Sequence, residues 1–178
     1  MEFQLLSPIR FEESVVEALI LELGKASRNG MIYTWDESFA KSFVGKSVYY
    51  GLKCEGNICG LHDTAKSAKV GTIESIRRVG NKVIARLNIF KESLLQEIKN
   101  GVKFYFSVSG KGLGQTLKDG TTKLIGGVLK SLQIFKENLA GFRTTKVLGF
   151  SESVLYIRED EQYDIIIGKG IKEIEFYT

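Results

Sequence analysis

The stretch from Val70 to Phe90 constrains this chain most. Val70–Val79 and Lys82–Phe90 each alternate in side-chain character, and Gly80-Asn81 stands between them. A period of two on both sides of a glycine-containing turn is the mark of an antiparallel β-hairpin. Lys46–Lys53, 104–109, Leu124–Phe135, Val147–Ile157, Tyr163–Ile167 and Ile171–Tyr177 read as further strands, and residues 3–9 as a short opening one. Helical spacing of Phe11, Val15, Val16, Leu19, Ile20 and Leu23 predicts a helix over 11–23. Glu12, Glu13 and Glu17 sit in its first turns, where the helix dipole favours acids, and Gly24 follows its end. Shorter helices are predicted over Trp35–Phe43, stopped by Gly45, and Ser93–Lys99, stopped by Asn100-Gly101. Many short strands with a few helices give an α+β fold: a mainly antiparallel, β-barrel-like sheet flanked by helices.

A chain of 178 residues, 43% hydrophobic and 26% charged, has the length and composition of a single soluble domain over 1–178. No apolar run approaches the roughly 20 residues that span a bilayer. The opening Met1-Glu2-Phe3-Gln4 lacks the basic flank of a signal peptide, so a cytoplasmic protein is expected. The net charge is +4, with Lys and Arg scattered among acids rather than gathered on one stripe. That pattern gives nucleic-acid binding no support and suits acidic protein partners.

The chemistry concentrates after Gly101. Phe104, Phe106 and Val108 fall on one face of a strand, and Tyr105, Ser107 and Ser109 on the other. Gly110-Lys111-Gly112-Leu113-Gly114 follows, and residues 110–122 are predicted as a glycine-rich loop. A serine hydroxyl needs a base and an oxyanion site to act as a nucleophile at neutral pH. Ser109, immediately before the glycines, is the better candidate, and Ser107, one pleat back, is core-facing or a helper. The base can only be His62 if the chemistry uses histidine, because the chain has one. Cys54, Cys59 and His62 are of zinc-ligand type, but nothing elsewhere supplies the second pair that a structural site needs, so the cysteines read as ordinary thiols.

In order, these parts resemble the prohead maturation proteases of tailed phages, which are similar in fold to the herpesvirus assemblin proteases. The resemblance runs through Asn29-Gly30-Met31-Ile32-Tyr33, Gly45-Lys46-Ser47-Val48-Tyr49, His62-Asp63 and Val70-Gly71-Thr72-Ile73. It continues through Ala85-Arg86-Leu87-Asn88-Ile89 to Ser109-Gly110-Lys111-Gly112-Leu113-Gly114, covering roughly residues 27–135. It implies an assemblin-like fold with Ser109 as nucleophile and His62 as base. Gly110, Lys111 and Gly112 would form the oxyanion and substrate loop, with Lys111 where many relatives carry arginine. The third member, a histidine in assemblins and often an acid in phage relatives, falls at Gln133; Asp63, Glu74, Glu137 and Glu152 are other candidates.

The implied function is a serine endopeptidase that cleaves scaffold and major capsid protein segments, and itself, inside the immature capsid in the host cytoplasm. It implies no metal, no cofactor and no membrane, and leaves a homo-oligomer open. The alternative is a non-catalytic structural or scaffold-binding capsid protein of the same fold. It is kept because glutamine can hydrogen-bond an imidazole but cannot stabilise imidazolium as a carboxylate does.

Overall fold

The hairpin forms where the alternation puts it, as β6 (Ala68–Val79) and β7 (Lys82–Ile89), with Gly80 turning the chain at φ 59°. The computed structural model describes residues 14–51, 53–55, 58–60, 68–136, 142, 144–150 and 171–178. The expected strands at 3–9 and 163–167, the part of the Val147–Ile157 strand beyond residue 150, and most of 136–145 lie outside the described residues. The remaining strands are β1 (Val15–Glu22), β2 (Met31–Tyr33), β3 (Ser47–Tyr50), β4 (Lys53–Glu55), β5 (Ile58–Gly60), β8 (Tyr105–Thr116), β9 (Thr122–Phe135), β10 (Lys146–Phe150) and β11 (Ile171–Tyr177). Among the described residues the helices are α1 (Glu37–Phe43) and α2 (Glu92–Lys99). The result is a strand-rich α+β fold.

One nine-stranded sheet carries the architecture, in the order β10-β1-β7-β6-β3-β9-β8-β11 with β2 added beside β9. Its pairs are antiparallel except β2–β9 and β3–β9, which are parallel. The sheet curls into a half-barrel that brings β1 and β10 against β8. There the backbone N–H of Phe106 donates to Thr145 Oγ1 at 3.0 Å, just before β10. β4 and β5 form a separate two-stranded hairpin.

Residues 15–22 are strand β1, not part of a helix. β1 lies between β7 and β10 and is buried on both faces. A strand with two buried faces has a nearly continuous apolar run, which a helical template also matches; β-branched Val15, Val16 and Ile20 favour the extended form. Glu17 is not a helix-dipole acid. It takes a bidentate grip from Arg77 on β6, with Nη1–Oε1 at 2.6 Å and Nη2–Oε2 at 3.2 Å.

The second difference lies at 110–122. β8 does not stop at Ser109 but runs to Thr116, paired with β9 on one side and β11 on the other. Only 117–121 remain as the turn to β9. Gly110, Gly112 and Gly114 recur at the strand period on one face. A Cβ at Gly112 would stand 2.1 Å from Gly126 O, and one at Gly110 2.2 Å from Val128 O. Close approach of neighbouring backbone and side chains, rather than loop flexibility, is why glycine occupies these places.

α1 closes the inner side. Asp36 caps it by accepting from the Phe39 N–H at 2.6 Å, and Gly45, at φ 83°, takes the chain away from its end. The Leu129 N–H donates to Ser42 Oγ at 2.9 Å, tying the helix to β9. Phe39 packs edge to face on Trp35 and Phe43, which are tilted against each other, and Phe39 meets Phe176 of β11 with ring centroids 5.8 Å apart. This aromatic cluster couples α1 to the C-terminal strand.

Candidate active site

One face of β8 carries Tyr105, Ser107 and Ser109, and the β8–β9 register sets Phe135, Gln133 and Ser131 opposite them in that order. The pattern-based expectation that the two serines share a face is met. Both are buried, as are Ser131 and Gln133, so four polar side chains form a strip inside the protein. Buried polar atoms need partners, and the strip supplies them locally. Ser109 Oγ and Ser131 Oγ are 3.1 Å apart. Ser107 Oγ donates to the carbonyl oxygen of Thr178 and accepts from Thr178 Oγ1 at 3.2 Å.

Gln133 sits directly across from Ser107, while Ser109 faces Ser131. The Gln133 side-chain amide donates to Gly51 O, and the Gly51 N–H donates to Ile134 O at 2.9 Å. These bonds, with the parallel pairing of Tyr49 to Gln133 and Tyr50 to Ile134, pin the end of β3 beside the strip. From that point the chain leaves as residues 52–67 and returns at Ala68, which pairs with Tyr50.

His62 belongs to that excursion and lies outside the described residues, as do Asp63, Glu137 and Glu152. The described roots of the excursion lie on β3 and β6, and β3 is separated from β8 by β9 alone. Glu74 is on β6 and half-exposed, 3.6 Å from Arg86 of β7, three strands from β8. The backbone register opposes Cys54 to Cys59 in the β4–β5 hairpin.

Gly110, Lys111 and Gly112 require a correction. The sequence pattern predicts a loop here, with N–H groups that gather round an oxyanion. These residues are strand, and the ladders to β9 and β11 compete for those same groups. Lys111 is exposed, in register with Glu175 of β11. Beside it a cleft of about 720 Å³ opens between β8, β11 and the start of α1, lined among others by Asp36, Lys111, Gly126 and Glu175.

The strip has two further participants, Ser131 and Thr178. Ser131 precedes Gln133 by two, a sequence spacing that puts both on one strand face. Thr178 carries no such signal, because only the β11 docking brings it to Ser107. No family model, curated protein or solved structure matches this chain.

Proposed function

We propose that this chain is a serine endopeptidase of the prohead maturation type, with an assemblin-like fold, acting on scaffold and capsid-protein segments. The observation that carries the proposal is the strip itself: two serines fixed on a rigid strand, flanked by Gln133, with Gly51, where the chain leaves toward His62, hydrogen-bonded to the same place. In this reading Ser109 Oγ attacks the scissile carbonyl, and His62 takes its proton and returns it to the leaving amine. Gln133 orients the imidazole through its side-chain oxygen while its amide holds Gly51. Backbone N–H groups along Gly110–Gly112 serve the oxyanion once the β11 side of that ladder is free.

A second reading, a non-catalytic capsid or scaffold-binding protein of the same fold, draws on a different observation. The Ser109 hydroxyl is paired with that of Ser131, and Gln133 spends its amide on a backbone carbonyl, an arrangement suited to cementing strands. Expression of wild type, Ser109→Ala, Ser107→Ala and His62→Ala, each checked for folding, decides between them. Mass spectrometry of the chain mixed with its scaffold is expected to lose cleavage in Ser109→Ala and His62→Ala and keep it in Ser107→Ala. A folded wild type that cleaves neither scaffold nor itself leaves the structural reading standing.

A further inference from the structure

β11 is already, in geometric terms, a docked peptide. It pairs with β8 in unbroken register from Ile171 opposite Gln115 to Tyr177 opposite Ser109, and no described strand lies on its other side. Its inward side chains sit on glycines. A Cβ at Gly110 would stand 2.6 Å from Phe176 Cζ, and one at Gly114 would stand 2.6 Å from Ile174 Cδ1. Between these seats, Glu175 faces Lys111 across the ladder. Thr178 completes the grip: its N–H donates to Val108 O at 2.9 Å, and its Oγ1 accepts from the Val108 N–H at 2.7 Å. Its carbonyl oxygen accepts from Ser107.

Glycine in a strand interior costs backbone entropy, so a row of glycines persists where side chains from a neighbour must lie close to the backbone. Main-chain pairing along an edge, with seats for alternate side chains, is how sheets recognise extended peptides. β11 also joins the sheet at the opposite end of the strand order from β10, its predecessor, with residues 151–170 between them.

We propose that the outer edge of β8 is a docking site for extended peptides of the pattern apolar–acidic–aromatic–any–Thr. Residues 171–178 are its resident occupant, displaced by such a segment of another protein. Binding stands apart from hydrolysis; only the fate of the bound peptide rests on the peptidase reading. Because the resident belongs to the same chain, a free peptide competes poorly until the resident is weakened.

The test uses a fluorescent peptide, Ile-Lys-Glu-Ile-Glu-Phe-Tyr-Thr, with the full chain carrying Ser109→Ala, read by anisotropy. Adding Phe176→Ala to the chain is expected to tighten binding at least tenfold, and replacing the peptide's phenylalanine by alanine to abolish it. A Leu113→Cys/Glu173→Cys pair, placed directly opposite in the register, ties the resident down when oxidised. Binding is expected to vanish on oxidation and return on reduction, and this variant keeps Phe176 should its removal impair folding. A folded chain that ignores the peptide, or one indifferent both to the peptide's phenylalanine and to the lock, overturns the docking site. Binding without any scaffold cleavage by the Ser109 chain overturns the peptidase reading alone, and cleavage without peptide binding overturns the docking site alone.

Discussion

Gly112→Ala separates a glycine-rich loop from a close-packed strand with a single methyl group. In a mobile loop the change shrinks the unfolded ensemble and is neutral or stabilising by up to about 1 kcal/mol. In β8 the new Cβ meets Gly126 O at 2.1 Å, Leu124 Cδ1 at 2.7 Å and Gly127 Cα at 3.0 Å, where ordinary contact begins at 3.4 Å. Leu124 can rotate away, but two of the three atoms are backbone of β9, so the strands must part. Overpacking of this kind costs about 1–3 kcal/mol, and the backbone obstruction sets the expectation at the upper end, about 3 kcal/mol. For a chain of this length that lowers Tm by about 6–12 °C. Gly126, paired with Leu113 one position along, is the control: a Cβ there has nothing within 4 Å. Gly126→Ala is expected to be neutral or stabilising by up to about 1 kcal/mol. Urea titration of both variants at equal m-value measures the contrast. A neutral Gly112→Ala would falsify the strand packing at 110–116 and restore the loop.

Three further outcomes follow from particular contacts. On the peptidase reading, Ser109→Ala reduces scaffold cleavage roughly a thousandfold or more, while its loss of the Ser131 hydrogen bond costs only about 1 kcal/mol by urea titration. Among the described residues the buried Tyr33 hydroxyl has no hydrogen-bond partner, and burial pushes its pKa up from 10.0. With the folded value above the unfolded one, stability present below pH 10 is lost as pH rises beyond it. Tyr33→Phe is expected to stabilise by about 1 kcal/mol at neutral pH and to flatten the decline above pH 10; an unchanged alkaline unfolding profile would refute this. Arg77→Met leaves Glu17 without its bidentate partner in a site where both side chains are mostly buried, at a cost of about 2 kcal/mol. Adding Glu17→Gln is expected to recover part of that loss, and a double variant no better than the single one contradicts the pairing.

Local rules made much of this molecule legible in its sequence. The β6–β7 hairpin, α1 and its stop at Gly45, α2 ending at Asn100-Gly101, and the strand at 171–177 depend on periodicity and on turns that want glycine at positive φ, and both are written into neighbouring residues. The common face of Ser107 and Ser109 also follows from strand period alone. What tertiary structure decided required partners far along the chain. Residues 15–22 are extended because β7 and β10 flank them and both faces are buried, which overrides a helical spacing. Gly110–Gly114 are strand because β9 and β11 pair on either side, and at 110 and 112 the β9 backbone comes so close that a Cβ would collide with it. Ser109 meets Ser131, and Ser107 meets Thr178, only through the β9 and β11 registers. A side chain's period is a property of its own segment, whereas what that side chain touches is set by a neighbour the segment cannot specify.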